Sequence, residues 1–494
     1  MNQLLATKSI AEIQEADASG QRQLNRTLSA TALTLLGIGG IIGTGIFVLT
    51  GTAAAEHAGP ALALSFIVAG IGCAFAGLCY AEFAAMIPVS GSAYSYSYAT
   101  LGEGIAWFIG WNLILEYLFA VATVSVGWSA YVLSLLDQFH LHLPYALSHA
   151  PFAQAAMGSY QVVRSGAILN VPAVAIVALI ATICYVGIKQ TSVFNSIIVI
   201  IKIAIVLLFI CIGAAHIHPV NWHPLIPPNA GPGVYGVSGV IAASGVIFFA
   251  YIGFDAISTT ARETRNPQRA MPIGILASLV VCTILYVAVS IVLTGMVSYR
   301  QLNVAAPLAL ALDAYPALHW LALAVKIGAI AGLTSVMLVQ VLAQARIFLS
   351  MSQDGLLPKL FGRIHPAFRT PSAATVITGM AAALIGGLLP VDVLGELVSI
   401  GTLSAFVTVC IGVLVLRYRR PDLHRPFKVP WPWVTCLAGT VVCLLMMYSL
   451  GAGNWLRLIG WTIIGALVYL FYGRHHSTLR ARNGATQPAP SPTS

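Results

Sequence analysis

Charge is what this chain has least of. Asp, Glu, Lys and Arg make up 8% of its 494 residues and hydrophobic residues 58%, whereas an ordinary soluble domain carries about 25% charged residues. A water-soluble globule is thereby excluded, and the composition is that of an integral membrane protein. Clustered cysteine is missing too. Cys73, Cys79, Cys184, Cys211, Cys282, Cys410, Cys436 and Cys443 lie scattered in or beside apolar runs with no CxxC spacing, which argues against a metal centre or a disulfide framework. The stretch from Ser134 to Val163, expected to form a long outer loop, has none, so no disulfide-linked accessory subunit is expected there. Residues 1–30 lack the short apolar core and cleavage site of a signal peptide, which predicts an uncleaved, cytoplasmic N-terminus. Histidines fall mostly in loops and ends (His140, His142, His216, His218, His223, His365). An intramembrane enzyme would need a base and a nucleophile converging inside the apolar runs, so neither catalysis nor a cofactor is expected.

What is abundant is apolar sequence in lengths of about 20 residues or more, enough to cross a bilayer. Such runs lie near 32–56, 61–87, 100–134, 167–187, 191–214, 236–261, 270–296, 306–350, 373–390, 393–416, 431–450 and 455–472, which predicts twelve spans. Lys and Arg concentrate in cytoplasmic loops. With the N-terminus inside, the inner loops and span ends collect 19 of them, Lys8, Arg22, Arg26, Lys189, Arg346, Arg369, Arg417 and Arg482 included, and the outer side only Arg164, Arg300 and Arg457. Both termini are therefore expected in the cytoplasm. A basic face against anionic lipid accounts for the net charge of +9 without nucleic acid. The segment after Arg474 is polar, with three prolines, and reads as a disordered tail.

Inside the first run, Gly37 to Gly51 reads GIGGIIGTGIFVLTG, with glycine at 37, 39, 40, 43, 45 and 51. Each glycine costs a helix interior roughly 1 kcal/mol relative to alanine, so the cluster predicts a place where the helix opens. Backbone freed at membrane depth is tolerated only where it is buried in protein or lines a polar cavity, and the stretch is expected to form half of a ligand site. The sixth run is interrupted alike, Ser244 to Asp255 reading SGVIFFAYIGFD. Matched interruptions five spans apart belong to transporters built from inverted repeats, with the substrate held near the midplane. An open helix offers N–H groups to a carboxylate and carbonyls to an ammonium. Gly43, Thr44 and Gly45 are thus expected to face the carboxylate of a free amino acid, and the carbonyls of Ile41, Ile42, Phe249, Ala250 and Ile252 its ammonium.

Two ionisable residues sit inside apolar runs. Lys202 has IIVII before it and IAIVLLFI after; Glu116 lies within LILEYLFAV. A charge at mid-membrane costs at least about 2.5–3.5 kcal/mol, so both are functional candidates, and Lys202 is suited to gain and lose a proton. For Glu116 three roles stay open: pairing with a cationic substrate, relaying a proton, or a polar contact between spans. Lys326 is placed near the outer end of the eighth span, within reach of water. Asp255 is expected to cap the outgoing half of the sixth span, while Glu56 and Glu82, near span ends, receive no role.

Four stretches carry a family resemblance: GIGGIIGTGIFVLTG; PVSGSAYSYSYATLGE from Pro88; FFAYIGFDAISTTARETRNPQRAMPIGI from Phe248; and SQDGLLPKLFGRIHPAFRTP from Ser352, with RRPDLHRPFKVP from Arg419 in agreement. In these the chain resembles the amino acid–polyamine–organocation superfamily, and within it the bacterial cationic amino acid transporter group. The resemblance implies an all-α polytopic fold of the leucine-transporter type. Residues 32–214 and 236–416 then form two inverted repeats of five spans, 431–472 two additional spans, and 1–31 and 473–494 cytoplasmic tails. It implies recognition of the α-carbon end of the substrate by backbone. It also implies that Lys202 stands where sodium-coupled relatives hold sodium, between spans 1 and 8, and couples transport to protons. Side-chain selectivity is expected from spans 3, 6, 8 and 10, with Phe119, Thr123, Phe254, Leu333, Ser335 and Thr402 as candidates. Leu333 beside Gly332 would present a bulky apolar wall, which favours neutral, mainly apolar or small L-amino acids over cationic ones. The reading is a proton-coupled amino acid importer of the bacterial inner membrane, touching lipid and small-molecule substrate. Exchange and cationic amino acid or polyamine transport are the alternatives, with a channel or a sensor further off.

Overall fold

Apolar sequence in a medium without water must satisfy its own backbone, which leaves helices as the available form. The computed structural model describes residues 3–9, 12–13, 28–89, 91–154, 162–187, 192–304, 306–368 and 370–480. Arg22, Arg26, Lys189, Arg369 and Arg482, counted for orientation, and the tail after Arg480 lie outside them. Among the described residues twelve spans follow one another. Span 1 is Ala30–Ile41 continued by 45–58, and span 2 is Leu62–Met86. Spans 3, 4 and 5 are Glu103–Gln138, Val171–Val186 and Ser192–Ala214. Span 6 opens with Gly236–Ile247 and span 7 is Pro267–Met296. Spans 8 to 12 are His319–Gln353, Ser372–Leu388, Val391–Arg419, Pro432–Ser449 and Gly451–Val468. Among the described residues nine segments are long and apolar enough to cross a membrane, one of them joining the second half of span 1 to span 2, and the shorter helices 30–41, 171–186 and 372–388 complete the set.

The eighth run differs from expectation. Residues 306–350 are not one span: Pro307–Asp313 is a separate short helix, a turn over Pro316–Leu318 follows, and the span itself starts at His319. Pro316 explains the cut, since the residue before a proline is pushed out of the helical region, and Tyr315 is extended (φ −120°, ψ 110°). A second short helix, Ser92–Thr100, connects spans 2 and 3 and was not foreseen; Gly102, at φ 104°, turns the chain into span 3. The loop after span 3 carries a short helix, Tyr145–Ser148, and an antiparallel hairpin of β1 (Phe152–Gln154) and β2 (Val162–Arg164).

Span 7 packs along spans 1 and 2, and span 3 along spans 8 and 10. Span 12 is tied to span 3 by a reciprocal pair, the Trp111 indole donating to Trp461 O at 2.8 Å and the Trp461 indole to Trp111 O at 3.1 Å. Both chain ends meet one face, here the basal face: Glu103 N donates to Ala6 O, Lys8 pairs with Asp354, the Ser477 hydroxyl bonds Glu103, and Thr478 N donates to Asp354 O. The opposite face is apical.

Glu82 has a structural task that its position did not reveal. Its carboxylate, 2% exposed, pairs with Arg417 and lies 3.4 Å from Arg425 Nε, and it accepts from Val429 N at 2.8 Å, pinning the segment between spans 10 and 11 to the end of span 2. Removing one partner of a buried ion pair leaves the other uncompensated, at a cost of about 3–5 kcal/mol. Glu82→Ala is therefore expected to lower the thermal midpoint of the detergent-solubilised protein clearly below wild type; an unchanged midpoint would refute this account of the network.

Candidate functional site

Span 1 opens where the glycines are densest. The Ser29 side chain accepts from Ala32 N at its start, and the first helix ends with Ile42 N bonded to Ile38 O. Ile42 is extended (ψ 96°), and helical geometry resumes at Gly45 as a wide π-turn through Leu49. Between them the N–H groups of Gly43, Thr44 and Gly45 donate to no backbone carbonyl among the described residues. The Thr44 hydroxyl is fully buried and likewise without a partner. Span 6 is interrupted alongside. Its first helix tightens into a 3-10 turn, Phe248–Tyr251; Ile252 is extended (ψ 136°), Gly253 takes φ 123°, and a 3-10 helix, Asp255–Glu263, leads out. Gly253 is needed twice over, for its positive φ and because a Cβ there would stand 2.7 Å from Gly40 O. A Cβ on Gly45 would stand 2.2 Å from the Ala250 Cα. The two interruptions therefore cross in direct backbone contact.

Neighbouring side chains hold the breaks open. Lys202, 1% exposed, donates from Nζ to Gly39 O at 2.9 Å and Ile42 O at 3.2 Å. A Cβ at Gly332 of span 8 would lie 2.8 Å from the lysine Cε, so Lys202 stands between spans 1 and 8 in a space that glycine leaves. Tyr286 of span 7 has its hydroxyl 2.9 Å from both Ile41 O and Ala250 O; its one proton serves one of them at a time. Tyr131 of span 3 donates to Phe47 O at 2.7 Å. Asp255 does not take the capping task expected of it: it is the first residue of the outgoing 3-10 helix, whose cap position is Phe254 without a side-chain bond. Its carboxylate instead accepts from Gly253 N at 3.2 Å and from the Tyr117 hydroxyl, bracing the break against span 3.

These bonds revise the ammonium end of the site. Of the five carbonyls expected to face it, Ile41 and Ala250 accept from Tyr286, Ile42 from Lys202 and Phe249 from Ile252 N, leaving Ile252 O without a partner among the described residues. A carbonyl has a second lone pair, so the four are shared rather than lost. Phe254 is buried between the Tyr80 and Phe406 rings at 5.6 and 5.1 Å. The span 8 side chain against Gly43 is Val336, one helical turn beyond Gly332, with atoms 3.3 Å from where a Cβ would be; Leu333 is buried, and no contact places it against the break. Phe119 is corrected more plainly, since its ring meets Trp461 of span 12 edge-on at 6.1 Å, away from the breaks. Thr123 and Ser335 spend their hydroxyls on carbonyls of their own helices, Phe119 O and Gly332 O. Lys326 is also corrected: it is 3% exposed and pairs with Asp313 at 3.0 Å.

Glu116 is fully buried. The Thr402 hydroxyl stands beside its carboxyl, but neither group makes a hydrogen bond of normal geometry. Apically, Glu56, Asp392, Glu396 and Arg457 line a cavity of about 220 Å³. Among the described residues no group of three His, Cys, Asp or Glu side chains is placed to hold a metal ion.

Sequence comparison shows the family. The family model described as "Amino acid permease" matches residues 27–471. The methylthioribose transporter of Bacillus subtilis (strain 168) is 49% identical over 93% of this chain and 96% of its own length. The branched-chain amino acid permease BcaP of the same organism is 47% identical over 96% and 98%. The vacuolar cationic amino acid transporter 4 of Arabidopsis thaliana is 38% identical over 85% of this chain and 68% of that protein.

The two glycines of the first break are separable by substitution. A methyl on Gly43 meets only Val336, at 3.3 Å, whereas one on Gly45 runs into backbone. Gly43→Ala is expected to keep the wild-type thermal midpoint but to weaken binding in an amino acid thermal-shift titration by about tenfold or more, since a bond to a charged group is worth about 1.5–3 kcal/mol. Gly45→Ala should lose midpoint and binding together. Equal behaviour of the two variants would mean that the first break does not hold the ligand.

Proposed function

The chain belongs to the amino acid permease family, and from that premise we propose that it imports L-amino acids across the bacterial inner membrane by alternating access, driven by protons through Lys202. The observation that carries the reading is the pair of crossing breaks, with free N–H groups on one side and partly engaged carbonyls on the other: donors for a carboxylate and acceptors for an ammonium a few ångströms apart, as a zwitterion requires. Gly43, Thr44 and Gly45 take the carboxylate; Ile252, with the shared carbonyls of Ile41, Ile42, Phe249 and Ala250, takes the ammonium. Charge distribution supports a cytoplasmic basal face with both termini inside.

Lys202 suits the coupling role because its bonds end on the break itself. A protonated amine donates charge-assisted bonds to Gly39 O and Ile42 O, and these weaken when the charge leaves. Protonation from outside would thus steady span 1 around the substrate, and deprotonation toward the cytoplasm would release it. Glu116 is the second candidate on the proton path. The names of the relatives span methylthioribose, branched-chain and cationic amino acids, so the side chain of the substrate is a separate question.

The test is accumulation of labelled amino acid in proteoliposomes with and without an acid-outside gradient. Wild type is expected to concentrate substrate only with the gradient. Lys202→Ala should bind but not concentrate. Lys202→Arg, whose guanidinium does not deprotonate in this range, should bind and fail to cycle. If both variants still concentrate substrate under the gradient, Lys202 is structural and the proton path runs elsewhere; uptake that needs internal amino acid and ignores pH would make the protein an exchanger.

A further inference from the structure

Among the described residues, six buried polar side chains of spans 3, 8 and 10 carry atoms without a hydrogen-bond partner. Asn112 and Glu116 of span 3 have both terminal atoms unpartnered, as does Gln344 of span 8; Gln340 of span 8 lacks a partner for Oε1, and Ser399 and Thr402 of span 10 for their hydroxyls. All are nearly or wholly inaccessible. Buried polar atoms are overwhelmingly paired in folded proteins, so a group of six points to something that pairs with them.

Helix register brings them together. Spans 3 and 8 run antiparallel, with the Trp128 indole on Thr334 Oγ1 at 3.0 Å and Gly110 against Met351. Eighteen residues of span 3 (110 to 128) thus match seventeen of span 8 (351 to 334), which sets Gln344 level with Glu116 and Tyr117, and Gln340 about one turn closer to the apical face. On span 10, Gly401 touches Leu115 and Thr402 stands beside Glu116, with Ser399 again about a turn apical. Val336, Gln340 and Gln344 are spaced by four and share one helix face, and Val336 is the residue that touches the break at Gly43. Gln340 and Gln344 lie about 6 and 12 Å below it along the helix. Side chains lean toward the N-terminus of their helix, which in span 8 is the apical end, so both amides rise toward the break.

We infer that this column is the selectivity surface for the distal end of the substrate, and that it selects side chains that both donate and accept hydrogen bonds, a carboxamide or hydroxyl, over branched aliphatic ones. This rests on the amino acid importer reading above and names its substrate class. The unpartnered atoms include donors (the amides of Asn112 and Gln344, the hydroxyls) and acceptors (the oxygens of Glu116, Gln340 and Gln344). An aliphatic side chain would bring a partner to none of them. A cation, which only donates, would leave the amide donors unpaired. Sites built to bond a substrate group reject analogues that lack it more strongly than apolar pockets discriminate by size.

The experiment is thermal-shift binding and proteoliposome uptake of L-glutamine, L-leucine and L-arginine, for wild type and for Gln344→Leu and Thr402→Val separately and together. Glutamine is expected to bind wild type at least about tenfold tighter than leucine or arginine. In the double variant that order should reverse, glutamine weakening by about tenfold or more while leucine tightens. Wild type that prefers leucine or arginine overturns the inference and leaves the importer reading standing, with water filling the column. Variants that fold and keep the wild-type preference overturn it too; if a variant does not fold, the wild-type order alone decides. Absence of uptake for every amino acid would sink the importer reading and this inference with it.

Discussion

A helix that opens inside a bilayer exposes backbone groups that no water will satisfy, and the rest of this protein is arranged around meeting that demand. Each unmatched group at such depth costs several kcal/mol. Lys202, Tyr286 and Tyr131 meet part of it from spans 5, 7 and 3, each donating to a carbonyl in or beside a break. The N–H groups of Gly43, Thr44 and Gly45 donate to no backbone carbonyl among the described residues. On the proposed function, the carboxylate of the substrate would complete this set of hydrogen bonds.

Glycine serves a second purpose at the same place. Only Gly43 and Gly45 sit at the opening of span 1; Gly37 and Gly40 lie within the helix before it, and a Cβ on Gly37 would press on Ile257 and Ser278. Their function is close approach, bringing span 1 against spans 6 and 7. Because Gly40 faces Gly253 and Gly45 faces Ala250 backbone to backbone, span 1 cannot tilt without moving span 6. The bonds of Lys202 to span 1 are therefore linked to span 6 through the same backbone contact.

The spans and both interruptions were legible from composition, run length and glycine spacing, since bilayer thickness and helix energetics act locally. Lys202 was legible for a related reason: charge in an apolar run has few explanations. What escaped was decided by packing across the chain. Tyr286 is an unremarkable tyrosine in an apolar run, and only the fold places its hydroxyl between Ile41 O and Ala250 O. Leu333 was chosen over Val336 because nothing in the sequence fixes the rotation of span 8; the spacing of Val336 four residues after Gly332 was the available signal. Phe119 faced the wrong way for the same reason. Lys326 drew a solvated reading because its partner, Asp313, sits in the short helix that the long apolar run concealed.

On the proposed function the two ends of the substrate fall to different kinds of chemistry, and this bears on how such proteins diversify. The α-carbon end meets backbone, which substitution changes only by disturbing the helix break. The distal end would then meet side chains on spans 3, 8 and 10, where one substitution alters donors, acceptors or volume and leaves the breaks alone. A scaffold divided in this way can keep its mechanism while its cargo changes. Of two relatives aligned over nearly their whole length, the one at 47% identity, named for branched-chain amino acids, fits that division, whereas the one at 49% is named for a thiosugar, which has neither carboxylate nor ammonium for the breaks to hold. Overall identity is therefore a poor guide to cargo among these relatives.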